Sequence, residues 1–263
     1  AAGEASAAGS SDLDATAGRA VVQGWAGWAP GLEEHDSWLA WVREPKPLRG
    51  DSHPEARFIP AMLRRRCTPL SRIALTCAFD CCEEDVRSNA RTVFASQHGS
   101  VNESISMVET VVQGGKLSPA RFSHTVHNAQ AGLFSLAASN REASSSLSAS
   151  DQTFEMGWLE ALSHLQREPD RPVLYVIADV PLAPVFAEMV EEPPPAYGLA
   201  FLLASTGPGV AVDFGRASEE PGRKHGDWPV AAEFLRWFLG GSERADRFCV
   251  GSRGSAWAWN RCA

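Results

Sequence analysis

Two stretches in the second half of the chain, Pro172–Val180 (PVLYVIADV) and Ala196–Thr206 (AYGLAFLLAST), are nearly free of charge and rich in β-branched, aliphatic and aromatic residues. Runs of this length without apolar/polar alternation read as strands covered on both faces. Strands of that kind require helices above and below them, so the chain is expected to be an α/β protein with a mixed or parallel sheet. A Pro-rich connection through Pro193, Pro194 and Pro195 separates the two. At 263 residues the chain can bury a large core, and one domain is the simplest reading.

The remaining elements follow from spacing and punctuation. Val21 and Val22 open a strand that contains Gly24 and Gly27 and ends at Pro30-Gly31. Trp38 and Trp41, three apart, read as a pair closing over the core on one helical turn. Behind Thr68 or Ser71 as a helix start, Leu70, Ile73, Ala74, Cys77, Ala78 and Cys81 recur at helical spacing, which makes the cysteines core residues. Arg91–Ser96 is a buried strand, Gln97–Ser100 a turn, and Val101–Val112 a helix stopped by Gly114-Gly115. Residues 1–18 are Ala/Gly/Ser-rich without a periodic apolar face and are expected to be a disordered tail, so that the fold begins at Arg19. From about residue 207 a short extension is expected: a strand at Val210–Phe214, a polar loop at Ala217–Asp227, a helix at Pro229–Leu239, and a terminal WAWNR segment.

Composition narrows the function classes. The net charge of −8 and the absence of a Lys/Arg block exclude nucleic acid and anionic membrane as main partners. No apolar run reaches the roughly 20 residues of a membrane span and no signal-peptide layout is present, so a soluble, cytoplasmic protein is expected. Cys67, Cys77, Cys81, Cys82, Cys249 and Cys262 show no pairing pattern and are read as reduced thiols. Cys77, Cys81 and Cys82 lack a second Cys or His pair nearby, and neither a metal nor a cofactor is expected.

Everything else is organised around Ser118–Leu162. An amphipathic run (Val126–Ala138), a short β-like segment (Ala143–Ser148) and a second amphipathic run from Asp151 place Ser148, Ala149 or Ser150 at the mouth of the core. His124 and His127, three apart on one helical face, have the spacing to hold a metal or serve a nucleophile, but no third partner is in sight and no G-x-S-x-G elbow occurs. Arg64, Arg65 and Arg66 have the chemistry to meet a phosphate or an acidic helix, and equally to form a solvated charged turn.

In this stretch the chain resembles the ketosynthases, the condensing enzymes of fatty acid and polyketide synthesis. Asn128, Gly132 and Ser135 match their N-x-x-x-G-x-x-S helix. With Gly157 aligned to the glycine of the following helix, Ser148-Ala149 falls where the Ala-Cys of T-A-C should stand. Ala149 thus replaces the reactive cysteine, and no cysteine lies within four positions of it. The opening strand is similar to V-V-V-T-G-x-G, and Gly198 is retained from G-E-G-A-G-x-L-V-L-E. The histidine motifs of a second half, H-G-T-G-T and N-x-F-G-F-G, are absent, and fewer than 60 residues follow Thr206. Trp237, Trp257 and Trp259 are expected to cover the face that this half would have covered.

A more specific resemblance lies in Phe58–Arg66 (FIPAMLRRR), Pro69–Arg72 (PLSR) and Ser118–Leu136. These segments look like the β-ketoacyl synthase-like N-terminal domain proteins, chain-length-factor-like subunits associated with aryl polyene pigment clusters. The resemblance implies a thiolase-like fold, the ketosynthase N-terminal half, with a mixed sheet, helices on both faces and the second half absent, spanning 19–263 as one half-domain. It implies a heterodimer with a catalytic ketosynthase, an acyl carrier protein met through that complex, and no catalytic residue in this chain. Asn140–Ser148 would pair across the dimer axis, with Phe122, Asn128, Leu133, Phe134, Asn140, Ser146 and Ser148 at the tunnel or interface and Arg64, Arg65 and Arg66 at the carrier. Two other classes stay open. One is an acyl-thioester hydrolase or acyltransferase using Ser148 or Ser150 with His124 or His127; the other is a stand-alone acyl or carrier-protein binding module with a deep apolar pocket.

Overall fold

The computed structural model describes residues 13–186, 188–189, 195–217, 228–240, 246–252 and 255–262. In chain order the first elements are β1 (Leu13–Trp28), α1 (His35–Arg43), α2 (Ala61–Arg64), α3 (Pro69–Cys81), α4 (Glu84–Asn89) and β2 (Arg91–Ala95). They are followed by α5 (Val101–Val112), α6 (Pro119–Phe122), α7 (Ala129–Ala137), β3 (Ser144–Leu147), α8 (Thr153–Arg167), β4 (Val173–Asp179) and β5 (Tyr197–Ala204). The last are β6 (Val210–Ala217), α9 (Val230–Leu239), β7 (Arg247–Ser252) and β8 (Ser255–Arg261). The described strands form one eight-stranded sheet in the order β3-β2-β4-β5-β1-β6-β8-β7. β3, β2 and β4 run parallel and the others pair antiparallel, giving the mixed sheet.

The two apolar stretches are the central strands, buried along their whole length. Successive side chains leave a strand on opposite faces, and the core divides accordingly. Val173, Tyr175 and Ile177 with Leu199, Phe201 and Leu203 face α1, α8 and α9. Leu174, Val176 and Ala178 with Ala200 and Leu202 face α3 and α7. On the second face the chain is kept small because α3 lies close: a β-carbon on Gly198 would stand 2.6 Å from Ile73 Cγ2 and 2.9 Å from Cys77 Sγ. α3 itself starts where its cap predicts, with Thr68 Oγ1 accepting the Ser71 N–H at 3.2 Å and Pro69 in the first turn. Its apolar stripe, cysteines included, is buried.

Two expectations need correction. The sheet begins at Leu13, not Arg19: the segment ahead of Arg19 pairs with β6, and Arg19 then locks the register through Asp213, with Nε–Oδ1 at 2.7 Å and Nη2–Oδ2 at 2.9 Å. Cross-strand pairing thus orders residues 13–18 despite their composition; residues 1–12 lie outside the described set. The terminal WAWNR segment is a full strand, β8, in a hairpin with β7, which the sequence did not reveal. Residues 218–227, most of the expected polar loop, and Pro193 and Pro194 also lie outside the described residues.

The hairpin and α9 build an aromatic cap over α8. Phe234 lies 5.0 Å from Trp158 and 5.3 Å from Phe154, and Trp259 lies 5.5 Å from Phe154. Trp257 stacks on Phe214 at 5.1 Å and Trp237 on Phe248 at 6.0 Å. Beneath this cap α8 touches the sheet through Gly157, where an added β-carbon would meet the Tyr175 ring at 2.5–2.7 Å. Gly157→Ala is therefore expected to destabilise the fold by about 1–3 kcal/mol, the overpacking cost outweighing the better helix propensity of Ala. Urea unfolding of the two proteins measures it, and equal midpoints would refute the close-contact argument.

Candidate functional site

The parallel strands β3, β2 and β4 end together, with Ala95 opposite Leu147 on one side and Ile177 on the other. Their carboxyl ends are the place where an open α/β sheet presents its site. The chain leaves β3 through Ser148 and Ala149, makes one 3₁₀ turn (Ser150–Gln152) and enters α8, a strand–elbow–helix unit. Ser150 carries the positive φ of this turn, +57°. The three elbow residues are held from both sides. Ser148 Oγ donates to the Gln97 carbonyl at 2.7 Å. The Ala149 N–H donates to Thr153 Oγ1 at 3.0 Å, and that hydroxyl donates onward to the Ser150 carbonyl at 2.6 Å.

The loop that receives Ser148 is fixed by a buried carboxylate. Asp179 accepts from Ser96 Oγ at 2.8 Å and from the Gln97 and His98 N–H groups at 3.2 Å each. Under the loop lies a cavity of about 10 Å³ lined by Leu70, Ala74, Phe94, Ala95, Ser96, His127, Gln130 and Ala178. That volume accommodates one water.

His124 and His127 are not on a helical face. They lie in the turns between α6 and α7, where Ser123 Oγ donates to the Ala120 carbonyl and Thr125 Oγ1 to the Phe122 carbonyl. Such short-range side-chain bonds compete with a continuous helix. His127 packs over Gly99, whose φ is +56° and whose added β-carbon would stand 2.9 Å from Nδ1. Burial, then the Arg66 guanidinium, holds His124 below the ordinary imidazole range. Arg64 ends α2, and Arg65 and Arg66 are exposed in the turn after it.

Of the residues expected at a tunnel or interface, Phe122, Asn128 and Ser148 are exposed and Ser146 is half-buried. Leu133 and Phe134 belong to the core instead: Phe134 lies 5.5 Å from Phe94 and 6.1 Å from Phe79. Asn140 is buried as a bracket, its Nδ2 donating to the Arg87 and Ala90 carbonyls at 2.8 Å each and its Oδ1 accepting the Glu142 N–H at 2.9 Å. Burial pushes the Cys77 and Cys81 thiols up, as for core residues. Among the described residues no three His, Cys, Asp or Glu side chains converge as metal ligands.

A polar cluster under β3 leaves no pattern in the sequence. Ser145 Oγ lies 2.6 Å from Glu160 Oε1 and 3.1 Å from His164 Nε2, and the same Glu160 oxygen is 3.3 Å from that Nε2. Glu160 and His164 are four apart on α8, but their partner comes from another element. The β-ketoacyl synthase N-terminal domain family matches residues 38–260. The chain belongs to this family.

Solved structures agree with that membership. A chain from the complex of the ketosynthase ApeO with its chain length factor ApeC, from Xenorhabdus doucetiae, superposes with a TM-score of 0.72 at 25% identity, over 92% of this chain and 99% of that one. The ishigamide ketosynthase/chain length factor gives a TM-score of 0.69 at 13% identity, over 93% and 99%. A β-ketoacyl synthase from Burkholderia phymatum gives 0.59 at 14%, over 76% of this chain and 64% of that one. The last two show the fold alone. No curated protein matches the sequence.

Within the ketosynthase-like fold the elbow has no nucleophilic atom at Ala149. A hydrolytic serine fares little better. Neither Ser148 nor Ser150 hydrogen-bonds to His124 or His127, and the amide after Ser148, the natural oxyanion donor for it, is already bonded to Thr153. Ser145 and His164 do meet, but the carboxylate sits on the same ring nitrogen as the serine, while Nδ1 is buried without a hydrogen-bond partner among the described residues. A triad requires the carboxylate on the opposite nitrogen. This cluster braces the edge strand against α8.

Glu155, in the first turn of α8, is 2% exposed and its Oε2 has no hydrogen-bond partner among the described residues. Burial, with a smaller push from Asp151, raises its carboxyl to about 7 against the pull of a backbone hydrogen bond. The folded value lies above the unfolded 4.5, so its stabilising contribution is full below that pH and is lost as the pH rises through 7. The loss amounts to about 3 kcal/mol. Glu155→Gln is expected to gain about that much on the wild type between pH 4.5 and about pH 8, read from urea unfolding; parallel pH profiles would sink the assignment.

Proposed function

We propose that this chain is the non-catalytic, chain-length-factor-like partner of a catalytic β-ketoacyl synthase and shapes the tunnel that receives the growing acyl chain. The observation that carries this reading is the elbow. The chain builds a strand, a turn and a helix, the unit that presents a nucleophile in ketosynthases; where the resemblance expects the cysteine it carries Ala149, whose amide is tied to Thr153. Condensation through an acyl thioester needs a thiolate and oxyanion donors. Here both come from the partner subunit. The match over 92% of this chain and 99% of a chain of the ApeO–ApeC complex supports a partner of this kind.

The surface fits such a role. β3 is an edge strand of four residues, with β2 on one side and nothing described on the other. Ala143 and Leu147 turn their carbonyls to β2, accepting from Thr92 and Ser96. By alternation Ser144 and Ser146 point their backbone groups outward, free to pair with a second chain. Exposed apolar side chains concentrate beside this edge in sequence, at Val108, Val111, Val112, Leu117, Phe122, Val126 and Leu136. Surface of that character marks an interaction face. Arg64, Arg65 and Arg66 stand ready for the phosphate or acidic helix of an acyl carrier protein engaged through the complex. No helix of the described residues is long and apolar enough to cross a membrane. The pathway we assign is aryl polyene, polyketide or fatty acid synthesis in the cytoplasm.

Co-expression with a ketosynthase encoded beside it, followed by size-exclusion chromatography with light scattering, is expected to yield a one-to-one complex. A monomer that ignores the ketosynthase overturns the reading. Ser146→Pro removes only an outward N–H, which edge strands tolerate, so it is expected to leave thermal unfolding within a few degrees of wild type (~2–4 °C) while weakening the complex at least tenfold.

A further inference from the structure

Asp179 closes the central strand β4 and is 3% exposed. Among the described residues, every hydrogen bond to its carboxylate comes from one loop: Ser96 Oγ and the His98 N–H on Oδ1, the Gln97 N–H on Oδ2. Ser96 Oγ, having donated to the carboxylate, accepts the Gly99 N–H at 2.8 Å and so closes the loop on itself. Burial raises the proton affinity of this carboxyl, and the donors of the loop oppose it. Removing a charge from water is costly unless its hydrogen bonds are met, so the carboxylate and the loop hold each other in place.

The loop in turn touches three segments around the strand ends. The Gln97 carbonyl accepts Ser148 Oγ from the elbow. Gly99, left-handed and without a side chain, lets His127 of the α6–α7 turn lie against it. Ser100 Oγ stands 3.4 Å from Gln130 Nε2 of α7. Ser96, His127 and Gln130 are also walls of the cavity beneath.

We infer that Asp179 is a positioning residue: by fixing residues 96–100 it sets the elbow at Ser148 and the cavity wall at His127 and Gln130, and through them the length of acyl chain the complex releases. The functional half of this inference rests on the partner-subunit reading; the positional half concerns the chain alone.

Two measurements keep the halves apart. In the isolated chain, Asp179→Asn sets an N–H against a loop N–H in place of an acceptor. Amide exchange at Gln97, His98 and Gly99 is expected to quicken about tenfold, with β5 amides unchanged. Unchanged exchange in the loop overturns the inference whether or not a ketosynthase partner exists. In the reconstituted complex with carrier and extender units, Asp179→Asn, Ser96→Ala and Ser148→Ala are each expected to shift the product distribution by at least one extension unit, with the one-to-one assembly intact. Wild-type product lengths from intact complexes of these variants overturn it. Should Asp179→Asn fail to fold, Ser96→Ala keeps the carboxylate, drops the shared hydroxyl and carries both measurements. A wild-type chain that enters no complex sinks the partner reading, and the exchange result then decides the positional claim.

Discussion

The contact between Gly157 and the Tyr175 ring sets the height of α8 above the sheet. With no side chain at that point, the helix descends until its backbone meets the ring, and the Tyr175 hydroxyl donates to the Phe154 carbonyl at 2.9 Å. Buried and bonded, the hydroxyl leaves the ring one position to occupy. Because α8 starts one 3₁₀ turn after the elbow, fixing its depth also fixes Ala149 at the ends of the parallel strands. The site inherits its geometry from a packing contact in the core.

The two faces of the sheet solve the problem of cover differently. Toward α3 the strands present Gly198, Ala178 and Ala200, and the helix comes close. Toward α8 they present Tyr175, Phe201 and Phe214, and the gap is filled by aromatic rings from α9 and the β7–β8 hairpin. Interiors tolerate neither voids nor overlap, so each face fixes the volumes allowed on its covering elements. This is why the chain carries so many bulky residues after Thr206, where its sequence otherwise has little pattern to read.

Legibility in the sequence followed the range of the interaction. The continuous apolar strands, the stripe and cap of α3, and both ends of α5 were readable because period, cap and glycine stop all lie within a few residues. The start at Leu13 was not, since what orders an Ala/Gly-rich segment is pairing with β6, some two hundred positions away. The turn at His124 and His127 was misread as helix because the competing bonds of Ser123 and Thr125 leave no periodic trace. At the site, the succession of strand, turn and helix around Ala149 was legible in the run from Ala143 through Asp151. The roles of Asp179, Asn140 and the Ser145–Glu160–His164 cluster were not, because each depends on a partner from another part of the chain: Ser96 for Asp179, Arg87 and Ala90 for Asn140, and Ser145 for the Glu160–His164 pair.

The aromatic cap has an optical consequence. The indole nitrogens of Trp158, Trp257 and Trp259, and of Trp38 in α1, are buried without hydrogen-bond partners among the described residues. An indole in that setting is shielded from water relaxation and emits toward the blue, while rings that reach solvent emit toward the red. The cap thus doubles as its own chromophore: any event that lifts the hairpin or α9 from α8 would be written in the colour of the light the protein gives off, with no label attached.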